Sequence, residues 1–247
     1  MIHNQSVIAI IPARSGSKGL PDKNIRTMHN QPLMHWAISC ACHSKYIDRV
    51  ILSTDSETYA EIGQKAGAEV PFLRPEELAG DRSSTIDVLL YTLQELGAPY
   101  DILVLLEPTS PLTRACDLDN ALERFCAQSN AEAMVSVTPA DSHHPEYAAY
   151  TDNQGFLRDM SQGLMQHKPR QVLPDAFFPE GSFYISRTSA LADKKSFYHR
   201  QTLTYPVQRW QAAEIDDLYD FKFIKLIFEE KMAALSEADW HNGQVAD

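Results

Sequence analysis

Four short apolar runs, separated by segments of helix length, constrain this chain more than any other feature. They are Val7–Ile11 (VIAII), Arg49–Asp55 (RVILSTD), Ile102–Glu107 (ILVLLE) and Ala133–Val137 (AMVSV). A run that is apolar throughout, rather than at every second position, reads as a strand buried on both faces. Between the runs the period changes. Pro32–Lys45 places Leu33, Trp36, Ala37, Cys40 and Ala41 on one stripe, with proline at its start. Glu57–Ala66 reads as a helix ended by Gly67, Ser84–Leu96 as one closed by Gly97, and Ala115–Gln128 as a fourth. Strands joined by helices of this length form βαβ units, because a parallel partner needs a long crossover. The fold predicted is an α/β class, three-layer α/β/α sandwich with a mostly parallel, Rossmann-like sheet. Functional loops in such sheets follow the carboxyl ends of strands, here after Ile11, Leu52, Leu106 and Val137.

The second half is less regular. From Thr138 to Leu173 histidine, proline, glycine and polar residues interrupt the pattern, as in an inserted hairpin arm or lid at about residues 140–175. Gly181–Ser186 and Thr202–Val207 read as strands. Asp216–Leu235 reads as a long helix with Phe221, Ile224, Phe228 and Met232 in register. The last dozen residues read as frayed. We find no repeat, and the chain, residues 1–247, reads as one domain with that insertion.

Charge narrows the partners. The formal net charge is -11, which disfavours nucleic acid and anionic membrane. An anionic substrate would then need a locally basic pocket. Four cysteines without a CxxC pair give no zinc ribbon and read as buried, reduced thiols. No segment reaches the roughly 18 apolar residues of a membrane helix. The expectation is a soluble, unexported, cytoplasmic protein.

The basic pocket is legible after the first strand, in Ile10–Asn24 (IIPARSGSKGLPDKN). Gly16 and Gly19 let backbone N–H groups turn toward an anion, Ser15 and Ser17 add donors, and Arg14, Lys18 and Lys23 add charge. Gly19 is followed by Leu20 and Pro21, so this is not a Walker A loop, and the dinucleotide-binding glycine pattern is missing too. A charged surface loop is the competing reading; its place after a buried strand favours a triphosphate site.

The same segment resembles the signature of the acylneuraminate cytidylyltransferases, also called CMP-sialic acid synthetases. Five blocks carry the resemblance, from about Ile8 to Phe228. It implies a nucleotide-diphospho-sugar transferase type of fold with a small dimerisation arm, and a homodimer in which that arm reaches the neighbour's site. In the first block it implies that Arg14, Lys23 and Asn24 contact the CTP triphosphate, with Ser15 beside it. Outside these blocks, Ser53–Glu57 (STDSE) is similar to a short STD stretch of family members, though Asp55 or Ser56 also makes a good helix N-cap. Phe72–Thr85 (FLRPEELAGDRSST) implies Arg74, and the hydroxyl of Ser84 or Thr85, near base and ribose; Asp81 can equally start a helical turn.

Leu105–Arg114 (LLEPTSPLTR) implies Thr109 and Ser110 in the nucleotide or sugar pocket, and Glu107 stands where the family has glutamine. Pro169–Ser186 (PRQVLPDAFFPEGSFYIS) implies Arg170 on the sugar carboxylate, with Gln171, Glu180 and Tyr184 in the sugar pocket; Glu180 replaces an asparagine. An amide donates and accepts hydrogen bonds, whereas a carboxylate only accepts. A free amine or a different hydroxyl pattern would suit these acids better than N-acetylneuraminate. Ala213–Phe221 (AEIDDLYDF) implies Asp216 and Glu214 as ligands of Mg2+ or Mn2+, on alternate residues of an extended segment. Asp217 and Asp220 read as helix N-terminal charges. His143 and His144 read as solvated loop histidines, and Trp36, Trp210 and Trp240 as anchors.

The implied reaction transfers CMP from CTP to an acidic 2-keto sugar, with Arg14, Lys23 and Asp216 catalytic. Two other readings stay open: a CMP-Kdo-like or other sugar nucleotidyltransferase, and a catalytically silent sugar-nucleotide binding module. A P-loop kinase is disfavoured by the missing Walker lysine.

Overall fold

The computed structural model describes residues 1–80, 83–140, 143–160 and 169–244, with the backbone alone of Asp159 and Arg170. Strand β1 (Val7–Pro12) leads through the glycine-serine loop to a small hairpin, β2 (Thr27–Met28) and β3 (Gln31–Pro32). Then follow α1 (Leu33–His43), β4 (Arg49–Ser53), α2 (Glu57–Lys65), α3 (Thr85–Leu96), β5 (Ile102–Leu105), α4 (Ala115–Ala127) and β6 (Ala133–Pro139). A two-stranded hairpin, β7 (Ala149–Thr151) and β8 (Leu157–Asp159), stands within the inserted segment. The chain ends with β9 (Phe177–Arg187), α5 (Thr188–Lys194), β10 (Thr202–Pro206), α6 (Leu218–Met232) and α7 (Glu237–His241).

The main sheet runs β10-β6-β9-β5-β1-β4. β1 is parallel to β4 and β5, and β10 is parallel to β6. β9 runs antiparallel to both β5 and β6 and joins the two parallel sets. The sandwich is visible along β1, where alternate side chains point to opposite faces. Val7, Ala9 and Ile11 pack with Ile38 of α1 and Leu122 of α4. Ile8 and Ile10 pack on the other face with Leu89 of α3 and Leu191 of α5. All five strand residues are fully buried, which is why the run carries no polar position. No described helix is long and apolar enough to cross a membrane.

A third cluster sits beside the sheet. Phe221, Ile224, Phe228 and Met232 of α6 pack on Leu33 and Trp36. The Trp36 and Phe228 rings are 4.4 Å apart, and Trp240 lies 5.2 Å from Phe228. Trp240 belongs to α7, so the C-terminal segment expected to be frayed is in fact docked through residue 241. Ser236 and Asp239 form a reciprocal capping box at its start. On its inner side Ser39 of α1 donates to Glu237, and His35 lies 3.1 Å from the same carboxylate oxygen. One fully buried tryptophan contributes about 1.5–3 kcal/mol, enough to hold one helical turn that has little other apolar surface.

Three smaller expectations change. Only Cys40 is buried; Cys42 is exposed, Cys116 and Cys126 are half-buried, and all four are free thiols. His144 is buried rather than solvated, with its ring on the Pro174 carbonyl (3.0 Å) and the Glu146 N–H (3.1 Å). The helix expected from Asp216 begins at Leu218, because Asp217 caps it in a box with Asp220.

Candidate active site

The carboxyl ends of β1 and β5 and the connection between α2 and α3 open on a cleft of about 540 Å³. One side is the glycine-serine loop. The Asn24 side chain donates to the Arg14 carbonyl (3.1 Å) and fixes the loop's two ends together. The Arg14 guanidinium reaches across the cleft to the Ala79 carbonyl (3.4 Å). Lys23 donates to the Ile215 carbonyl (2.6 Å), and its Nζ lies 3.8 Å from Asp216. A side chain on Gly19 would stand 2.6 Å from the Asp216 carbonyl oxygen, so this close approach requires glycine. The basic loop is thus bolted to the acidic segment 192 positions later in the chain.

Ser15 is placed differently from the expectation. Both its N–H and its hydroxyl donate to Asp55, at 2.9 Å each, so its donors hold the loop in shape. Ser17, Lys18 and Gly19 line the cleft instead. Asp55 is the functional residue that reading the sequence missed: it ends a strand, but Ser56 beside it is the N-cap of α2 and shared the signal.

Arg74 lines the cleft and is buried, donating to the carbonyls of Ser53 (2.5 Å) and Leu78 (3.3 Å). Burial lowers its pKa, though Asp55 opposes this. Thr85 lines the cleft too, whereas Ser84 caps α3 by accepting from the Ile86 N–H. Thr109 lines the cleft and its carbonyl accepts from Ile215 N–H (3.0 Å), tying the β5 loop to the 213–217 segment.

The far side is acidic. Glu107 and Asp216 line the cleft. Burial, with Glu214 nearby, pushes the Glu107 carboxyl up to about 7, while Lys23 pulls it down. Glu214 is exposed as a residue, yet its carboxylate folds over Gly181: a Cβ there would come within 2.1 Å of Glu214 Oε1 and 2.9 Å of Ser110 Oγ. Its pKa is raised by the burial of that carboxylate and by Asp216. The segment carrying Glu214 and Asp216 is a loop, not a strand end; Lys23 and Thr109 hold it, and the Asp216 charge acts on Glu214. Glu180 is buried and its pKa is raised by that burial, with Ser136 and Ser182 opposing. Tyr184 neighbours Glu107, Tyr198 and Glu214, and burial above all raises its phenol. Gln171 is exposed, in a helical turn at Arg170–Val172, and is not brought to the cleft. The side chain of Arg170, and Asp81, lie outside the described part of the structure.

A family model for cytidylyltransferases matches residues 8–237. The chain belongs to this cytidylyltransferase family. It is 31% identical over 225 residues to an N-acylneuraminate cytidylyltransferase of Escherichia coli, an alignment covering 91% of this chain and 52% of the relative. The chain therefore spans about half the length of that relative. It is 32% identical to a CMP-N,N'-diacetyllegionaminic acid synthase of Legionella pneumophila, over 93% of this chain and 99% of the relative. Among solved structures, a CMP:2-keto-3-deoxy-manno-octonic acid synthetase complexed with CTP superposes with a TM-score of 0.68. The superposition covers 90% of this chain and 98% of that one at 15% identity, a likeness of fold.

Proposed function

We propose that this cytidylyltransferase family member transfers CMP from CTP to an acidic 2-keto sugar of the sialic acid or nonulosonate class, releasing pyrophosphate. One observation carries the reading. The cationic loop after β1 and the carboxylates of residues 214 and 216 are locked onto one cleft by Lys23 and Gly19. A triphosphate needs the first and a phosphate-bridging cation the second. The names of the two relatives above support the sugar class.

The donor set of Glu214 and Asp216 is all hard oxygen, which fits Mg2+ or Mn2+. When bound there, such an ion neutralises phosphate oxygens of the nucleotide. The chain's own groups do the rest. Arg14 and Lys23 hold the triphosphate and stabilise charge at the α-phosphorus as the anomeric hydroxyl attacks and pyrophosphate leaves. Arg74 and Thr85 face base and ribose, Thr109 and Ser110 sit between the two substrates, and Arg170, Glu180 and Tyr184 complete the sugar side. Much of the acceleration is positioning on rigid strand ends.

The arm is proposed as the contact of a homodimer. Its exposed apolar residues, among them Tyr150, Phe156, Leu157, Met160 and Val172, favour a covered surface. The reading places the protein in the cytoplasm, with CTP. The test is pyrophosphate release from CTP, with nine-carbon and eight-carbon ulosonates, with and without Mg2+. The reading predicts metal-dependent release with at least one nine-carbon sugar. Release only with an eight-carbon sugar selects the Kdo-like alternative, and none with any sugar selects the silent binding module.

A further inference from the structure

We propose that the sugar activated here carries a cationic nitrogen, an ammonium or amidinium group, received by Glu180, Glu107 and the Ser110 hydroxyl. The inference rests on the nucleotidyltransferase reading above and concerns which substituent the sugar side selects.

Glu180 is 6% exposed. Its Oε2 accepts from the Ser182 N–H (3.1 Å) and hydroxyl (2.7 Å), while Oε1 has no hydrogen-bond partner. The nearby Ser136 hydroxyl has one proton, which goes to the Glu180 or Phe183 carbonyl (2.9 and 3.0 Å). Ser110 Oγ, on a residue 1% exposed, is likewise without a partner. It faces the same Gly181 on β9 as the Glu214 carboxylate does. Buried polar atoms left unpaired are rare; here one belongs to Glu180 and the other faces the adjacent Gly181, which points to a ligand.

The charges say which kind. Lys23 acts on Glu107 and Glu214, but the charged group acting on Glu180 is Glu214, itself an acid. Glu107 thus has one cation acting on it, whereas among the described residues no cation acts on Glu180. An acetamido group offers one N–H and a carbonyl that wants a donor, and carboxylates donate nothing. A cationic nitrogen offers several N–H donors and the missing positive charge, as a charge-assisted pair.

The test uses the intact protein with CTP and Mg2+. Nonulosonates are compared in pairs that differ at one carbon, with amino in place of hydroxyl or acetamidino in place of acetamido, at each substituted carbon in turn. The readout is the ratio of kcat/KM within a pair, which cancels any unfolded fraction. At one carbon the cationic member is expected to win by about tenfold, and Glu180→Gln and Glu107→Gln each to lower that ratio by about tenfold. A neutral member preferred at every carbon overturns the proposal while leaving the nucleotidyltransferase reading standing. A cationic preference untouched by both variants overturns it as well. No pyrophosphate from any sugar brings down the parent reading and this one with it.

Discussion

Replacing Glu107 by glutamine should stabilise the ligand-free protein at neutral pH and do little in acid. The side chain keeps its size, so the effect isolates the charge. Burial beside Glu214 pushes the carboxyl up from 4.5 to about 7. Between those values the folded protein holds a proton that the unfolded chain releases, so wild-type stability falls as pH rises through this window, and the penalty is complete above it. A shift of that size corresponds to about 3 kcal/mol near pH 8, about 1 kcal/mol near pH 5 and almost nothing below about pH 4. For a chain of this length, about 3 kcal/mol moves Tm by roughly 6–12 °C. Urea unfolding of both proteins at several pH values, in chelator and without nucleotide, reads the difference directly. A variant no more stable than wild type at pH 8, or a gain that grows toward acid, would refute the electrostatic account of the acidic wall.

Arg14→Ala should lower turnover at saturating CTP by about 10²-fold, the loss of one preorganised donor; a change under about threefold removes Arg14 from the mechanism. Gly19→Ala forces a Cβ to within 2.6 Å of the Asp216 carbonyl and should raise the KM for CTP by about tenfold, by parting the loop from the 213–217 segment; an unchanged KM would show that the close approach is dispensable. Trp240→Ala should cost about 3–5 kcal/mol in denaturant unfolding, since Trp240 is the large apolar side chain that α7 buries. Equal stability of that variant would mean the C-terminal turn does not hold the aromatic cluster.

How much of this was readable beforehand depended on what each residue's pattern had to compete with. The buried strands were legible because Val7–Ile11 and Ile102–Leu105 pack on both sides and tolerate no polar side chain. The direction of β9 was not, since Gly181–Ser186 has the same composition whether its neighbours run with it or against it. The docked C-terminus was missed because α7 offers one apolar anchor, Trp240; its capping pair, Ser236 and Asp239, was the available signal. Within the site, Arg14, Lys23, Asn24, Arg74, Thr85, Glu107, Thr109 and Asp216 do line one cleft. The grip of Asp55 on Ser15 was hidden behind an adjacent capping serine. The influence of Glu214 on Glu107 spans more than a hundred positions, and no local period reports it or its influence on Glu180.

The reversed strand at the middle of the sheet has a consequence for how such an enzyme diversifies. In the proposed reading most of the grip on the nucleotide follows β1, β4 and β5, while β9 alone brings Glu180, Gly181 and Tyr184 from the opposite direction, directly after the inserted arm. The two halves of the cleft can therefore change at different rates. On that reading, substitutions along β9 retune what is activated while most of the phosphate-holding loop stays as it was.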